Sequence, residues 1–242
     1  MLFLALFIVV GFTVEAAIGF GATLISLALG SMVMPTAAVL FRVVPLNALL
    51  SLAIAVHAWR HIDARRLFFQ LLPALLLGMP LGLLVLKALP ARNLQLLLAA
   101  FVFLLAVAEL VATVRADSSE TRKLSRPAIL ALLFAGGVAH GALATGGPPV
   151  VYVAARTFDD KASYRATLSA LWLLLNAGLI TVYALTGRVT GQTLLSSLPL
   201  LPAVLVGIFV GDLLHRRVPE RAFKLVVFAM LLGVAALLAA QS

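Results

Sequence analysis

Apolar runs recur from Leu2 to Ala240 with only short polar interruptions. A soluble fold of 242 residues has too little interior to hide them, because 63% of the chain is hydrophobic and only 11% is charged. Mean hydropathy is +1.15. In a bilayer every backbone N–H and C=O needs a partner inside the protein, which a helix supplies from its own length. The expected fold class is an all-α polytopic membrane protein with almost no mass outside the membrane. The chain has room for roughly eight to ten helical passes.

Two of the runs are broken. Thr145-Gly146-Gly147-Pro148-Pro149 interrupts one near the middle of the chain, and Gly19-Phe20-Gly21 interrupts one near its start. Glycine permits φ > 0, and Pro149 lacks a backbone donor and disfavours the α conformation in Pro148. Such breaks persist in lipid only when buried in protein or lining a wet cavity. A pair of them in matching places of two halves points to a transporter's binding site.

The apolar segments fall at about 2–18, 22–34, 36–58, 67–86 and 93–114, and again at about 127–143, 150–157, 164–185, 193–214 and 221–240. A polar linker covers 115–126, between a first repeat of about 2–114 and a second of about 127–240; the whole, 1–242, is expected to be one membrane transport domain. The second half repeats the first in order. Leu72-Pro73-Ala74 returns as Leu201-Pro202-Ala203, Gly78 and Gly82 return as Gly207 and Gly211, and Pro90-Ala91-Arg92 returns as Pro219-Glu220-Arg221, all at an offset of 129. The breaks align at 126, with Gly21 on Gly147, and Phe41-Arg42 resembles Tyr164-Arg165 at 123. Loop insertions account for the drift.

Charge then separates two topologies. If each broken segment crosses once, the 18 Lys and Arg divide 8 to 10 between the two sides. If each break is the tip of a hairpin, the division is 4 to 14, with the 14 in loops 60–66, 115–126, 156–165 and 216–224. The second is a strong positive-inside signal. It gives two inverted repeats of about five segments, each beginning with a broken, re-entrant helical hairpin, and places both termini outside. The tips are then expected inside the protein, entering from opposite faces. The formal net charge of +9 would point to nucleic acid in a soluble protein; in short loops it sets orientation, and no nucleic acid is expected. There are no cysteines, hence no disulfide framework and no thiol chemistry. No Lys or Arg precedes Arg42, so the first segment lacks the positive region of a cleaved signal and is read as mature protein.

The Gly-containing break near the N-terminus, His61-Ile62-Asp63 with its basic neighbours, the two Gly-x3-Gly helices each followed by a Pro-x-Arg turn, and Thr145-Gly146-Gly147-Pro148-Pro149 followed by Tyr164-Arg165-Ala166-Thr167 resemble the TauE/SafE sulfite-exporter family. The resemblance covers about residues 5–240. It implies a secondary transporter, an exporter of sulfite, organosulfonates or related small sulfur-containing anions, in the cytoplasmic (inner) membrane. One departure stands out: the family's first break is usually a run of glycines, and here it is Gly19-Phe20-Gly21. Phe20 narrows or dries that side of the site, which bears on substrate choice.

An anion carrier needs positive potential at mid-membrane without a permanent trap, and helix N-termini supply it. The expected substrate-binding residues are therefore the tips and the arms after them: Gly19, Phe20, Gly21, Ala22 and Thr23 in the first, and Thr145, Gly146, Gly147, Pro148 and Pro149 in the second. The competing role for these glycines is close helix packing. Arg42 and Arg165 lie inside their spans and are candidate anion gates. Glu15 and His140, three or four positions before each tip, are candidates for carrying a coupling proton; the alternative is that Glu15 caps the hairpin. Asn47, Asn176, Ser169, Trp172 and Tyr152 are candidate pocket liners. Asp212 and Arg216, spaced i, i+4, are expected to pair at the interface.

The expected partners are a small anion, a coupling proton and the bilayer. No cofactor and no metal site is expected. Two other functions compete. An intramembrane enzyme lacks any H-E-x-x-H, G-x-S-x-G or acidic cluster here. A permease for a cation or metal lacks carboxylate and His clusters, His57, His61, His140 and His215 being scattered.

Overall fold

The computed structural model describes residues 2–18, 21–115, 124–158, 160–217 and 219–241. The described chain is helical throughout. It runs through α1 (Leu2–Ile18), α2 (Ala22–Gly30), α3 (Thr36–His57) and the single turn α4 (Ala64–Arg66), which passes through a π turn into α5 (Leu72–Ala88). Then come α6 (Ala91–Arg115), α7 (Arg126–Leu143), α8 (Gly147–Ala154) and α9 (Lys161–Leu185). The helix α10 (Gly191–Ser197) leads through a 3-10 turn into α11 (Leu201–Arg217), and α12 (Glu220–Gln241) closes the chain.

Among the described residues six helices are long and apolar enough to cross a membrane: Thr36–His57, Ala64–Ala88, Ala91–Val114, Arg126–Leu143, Ala162–Leu185 and Gly191–Leu214. Two shorter apolar helices, Leu2–Ala17 and Leu225–Gln241, stand at the ends. Protein covers no more than half of any spanning window. Phe69, Leu77 and Phe209 are among the side chains left bare. In water such faces would drive aggregation; in a bilayer they are the lipid-facing side.

By packing, the chain divides into two compact units, and each takes segments from both sides of the polar linker. The first comprises Met1–Val43, Leu89–Glu120 and Ser197–Ser242. Within it α2 folds back antiparallel on α1. Gly11 meets Ala22 and Ser26, and Gly30 meets Leu4. Helix α11 lies along α1 in the same direction, with Gly207 against Val9 and Thr13 and Gly211 against Thr13 and Ala16. Helices α6 and α12 pack together, and Gln95 Nε2 donates to the Leu238 carbonyl at 3.4 Å. Ile8, Phe12, Leu98, Phe228 and Leu231 form the buried core.

The second unit comprises Val44–Ala88 and Thr121–Ser196. Its centre is the contact of α5 with α7. Gly78 and Gly82 of α5 approach the backbone of Phe134, Val138 and Ala142, and Gly137 and Gly141 of α7 approach the backbone of Leu75 and Met79. Glycine on both helices brings two backbones together, as small residues do in membrane bundles where dispersion replaces the hydrophobic drive. Both helices run in the same direction, so their first turns share one end. Helix α8 folds back antiparallel on α7, with Val150 and Gly146 against Gly136.

Local chemistry fixes the helix starts. Asp63 caps α4 by accepting from Arg66 N at 2.9 Å, and its own N–H donates to the buried Thr167 Oγ1 at 2.9 Å. Asp160 caps α9 by accepting from Ser163 N at 2.8 Å and Ala162 N at 3.3 Å. Those bonds hold the Asp160 carboxyl below its ordinary range, the Ser163 backbone contributing most. A depressed pKa in the folded state contributes stability above the unfolded value and loses it as pH falls. Acidifying the purified protein below the usual carboxylate range is therefore expected to weaken the α9 start, and Asp160→Ala to remove that part of the acid dependence. A thermal-unfolding pH series on both proteins checks it, and identical acid limbs would refute it.

The linker at 116–123 and the side chain of Arg216, the expected partner of Asp212, lie outside what the structure describes.

Candidate functional site

In the second unit the expected site residues gather around one face of α9. Arg165, Ser169, Trp172 and Asn176 are spaced four, three and four apart, which puts them on one side of a helix. Ser169 and Asn176 are buried, Trp172 is half-buried and Arg165, in the first turns, is exposed. Trp172 stacks on His140 of α7, ring centroids 6.0 Å apart and planes at 22°. Asn176 Nδ2 donates to Asn47 Oδ1 of α3 at 3.0 Å, and Ser51 Oγ donates to the same oxygen at 3.3 Å.

Several polar atoms at this face are buried without partners. Neither ring nitrogen of His140 makes a hydrogen bond of good geometry, although the side chain is 1% exposed and the Leu175 backbone is close enough to act on the ring. Asn176 Oδ1 is likewise unpaired. A buried unsatisfied polar group costs on the order of 1–3 kcal/mol, so a cluster of them needs a reason.

The second tip lies directly beside His140. Helix α7 ends where Ala144 takes the left-handed conformation, φ 50°, its N–H donating to the His140 carbonyl at 2.7 Å. This refines the expectation for the break. The residue with positive φ is an alanine, at a strain of roughly 1 kcal/mol, and Gly146 has φ −75°. Gly146 is required for another reason: a Cβ there would strike the Gly136 carbonyl and lie 3.1 Å from His140 Cβ. Helix α8 begins at Gly147, not at Val150, and Pro148 and Pro149 sit in its first turn. Proline is tolerated there because its missing N–H would be unpaired anyway. The consequence is electrostatic. Of the first three helical positions only Gly147 offers an N–H, so the α8 terminus is a sparser anion cradle than an ordinary helix start. Thr145 is buried at the tip, 5% exposed. Tyr152 is 45% exposed on the outer side of α8, its carbonyl accepting from Arg156 Nη1 and its ring under that guanidinium at 3.6 Å.

The first tip belongs to the other unit. Gly21 has φ 113°, a conformation that asks for glycine, and it caps α2. Ala22 and Thr23 are buried in the first turn of α2. Glu15 Oε2 accepts from Ala22 N at 2.8 Å. A carboxylate thus already sits on the α2 terminus. Arg42 is half-buried and donates through Nη1 to the Ala38 carbonyl of its own helix at 2.8 Å, while its Nε is buried without a partner. Gly19 and Phe20 lie outside the described residues.

Sequence reasoning missed two things that it had the means to find. Asn47 and Asn176 are themselves 129 apart, the offset of the Gly-x3-Gly helices, so the repeat pairs the two residues that bond each other. Thr13 and Val138, the residues that meet Gly211 and Gly82, are 125 apart, the spacing of Glu15 and His140, whose arms the repeat already matches. Ala144 carried no signal, since alanine is rarely left-handed.

Among the described residues no group of His, Asp or Glu is arranged to hold a metal ion. The family model described as "Sulfite exporter TauE/SafE" matches residues 3–238. No curated protein and no solved structure matches the chain.

Proposed function

The chain belongs to the TauE/SafE sulfite-exporter family, and from that premise we propose that it carries sulfite or an organosulfonate out across the cytoplasmic membrane. That it is a multi-pass membrane transporter and not an enzyme follows from the family. The substrate, the direction and the coupling are our reading. The observation that carries it is the α9 face at the second tip. Thr145, His140, Ser169, Trp172 and Asn176 lie there, with polar atoms of His140 and Asn176 buried and unpaired, and no Asp or Glu occurs in 44–57, 64–88, 124–158 or 161–185 of the second unit. An oxyanion accepts hydrogen bonds, and the Thr145 and Ser169 hydroxyls and the His140 ring are the donors it would find there; a cation finds no carboxylate.

We take the fold to be two inverted repeats whose hairpins are re-entrant, with both termini outside. Support comes from the antiparallel α1–α2 and α7–α8 pairs, from the recurrence of the glycine contacts at matching positions, and from the bond between Asn47 and Asn176. A residue that bonds its own repeat equivalent is what a local two-fold relation produces. The substrate is read at the tips, with Gly19–Thr23 and Thr145–Pro149 as contact residues. Arg42 and Arg165 draw anions toward them. Glu15, on the α2 terminus, is the better placed of the two proton candidates.

Proteoliposome flux of sulfite, taurine, sulfoacetate and chloride, with and without a pH gradient, tests the reading. Saturable flux of a sulfur oxyanion that falls at least tenfold in Trp172→Ala is the expected result. Chloride flux alone, or sulfite flux indifferent to Trp172, would remove the proposal.

A further inference from the structure

A second polar feature of the same unit lies well away from the tip, where α4 and α7 begin. The two helices run in the same direction, so their first turns border one cleft of about 710 Å³. Arg65, Arg66, Gln70 and Arg126 line it, with Asp63 as the one acidic residue among its lining. Three positive charges against one negative leave an excess of two. Arg66 is held in place: its Nε is 3.4 Å from Asp63 Oδ2, and its guanidinium lies 4.9 Å from the centroid of the Phe158 ring. Arg65 and Arg126 have no carboxylate partner among the described residues.

The other side of the cleft is apolar and bare. Phe69 is 83% exposed and Leu130 56% exposed, and both line the same space. They belong to spanning helices, so the cleft opens where the aqueous boundary meets the acyl chains. A soluble anion has no use for the apolar half. A phospholipid uses both.

We propose that this cleft binds an anionic phospholipid, its phosphate between Arg65 and Arg126 and its acyl chains along Phe69 and Leu130. Arg66 is already committed to Asp63 and Phe158 and shapes the wall. Arginine forks match phosphate oxygens in two-point bonds, and basic residues at this boundary attract anionic headgroups. The site is independent of the substrate reading, because it shares no residue with the tip.

The chain has no cysteine, so Gln70→Cys supplies a single thiol in the cleft. The test is the rate of thiol modification of the purified full-length protein in mixed micelles. Phosphatidylglycerol is expected to slow modification at least fivefold relative to phosphatidylcholine, and glycerol phosphate at equal phosphate concentration to leave it unchanged. In Gln70→Cys with Arg65→Gln and Arg126→Gln the difference between the two lipids shrinks to within twofold. Equal protection by phosphatidylcholine would overturn the proposal. So would equal protection by glycerol phosphate, which would mark a solute site, or full protection in the arginine variant. If the arginine variant does not fold, the lipid comparison on Gln70→Cys alone decides.

Discussion

Gly82→Ala is expected to destabilise the detergent-solubilised protein by about 2–3 kcal/mol, the cost of overpacking a close contact. The same substitution at Gly233 is expected to be neutral or to stabilise it by up to about 1 kcal/mol. Both glycines are inside helices, where alanine is the better former by that amount. They differ only in surroundings. A Cβ at Gly82 would penetrate the carbonyl of Val138 and lie 2.7 Å from the nitrogen of Ala142, which are backbone atoms that cannot rotate away. A Cβ at Gly233 would meet nothing within 4 Å. The opposite signs are the point, because intrinsic propensity alone predicts the same gain at both. Gly141→Ala and Gly211→Ala should behave like Gly82→Ala, since their Cβ atoms would strike the Met79 and Thr13 carbonyls. Unfolding midpoints measured by tryptophan emission decide it. A Gly82→Ala protein as stable as Gly233→Ala would mean that the α5–α7 contact is looser than described.

That contact also marks where sequence reading reaches its limit. Apolar length placed the spans well: 36–58 became Thr36–His57, and 164–185 lies inside Lys161–Leu185. Gly78-x3-Gly82 marks the repeat in the sequence, and in the structure it is also the face that another helix approaches closely. The motif does not say which helix. The partner, α7, lies more than 40 residues further along, and nothing in local periodicity encodes that choice. The division into two interleaved units has the same origin. It follows from contacts between distant segments, while the repeat is a property of sequence order.

The tips were legible as breaks and less so as chemistry. Gly146-Gly147-Pro148-Pro149 reads as an interruption because each residue resists a helix interior. The structure uses them otherwise: the prolines start α8, Gly146 makes room for Gly136 and His140, and the turn itself falls on Ala144. Proline at a helix start and proline at a helix break look alike until the first hydrogen bond is located. The stacking of Trp172 on His140 was beyond reach for a different reason. The two side chains sit on helices whose relative rotation only packing sets.

Glu15→Gln is expected to separate anion binding from proton movement. The Glu15 carboxylate accepts from Ala22 N at 2.8 Å and so occupies the positive end of α2. On our reading of the first tip, a substrate anion must approach the same terminus. Two negative charges about 5 Å apart repel by about 3 kcal/mol at an effective dielectric constant near 20. Binding therefore requires Glu15 to take up a proton or to leave the terminus, and either event links anion occupancy to pH. Among the described residues α2 has no ionisable group, and Asp212 of α11 is exposed, one residue past the Gly211 that meets Ala16. Glutamine keeps an oxygen to accept the Ala22 N–H and loses the charge. The variant should fold as well as the parent, bind sulfite about 10- to 100-fold more tightly by KM for flux, and respond little to a pH gradient. Glu15→Ala, which removes the cap as well, should in addition lose about 1 kcal/mol of stability. A Glu15→Gln protein with unchanged KM and unchanged response to pH would reduce Glu15 to a helix cap. Proton coupling would then have to be sought at His140, neither of whose ring nitrogens makes a hydrogen bond of good geometry.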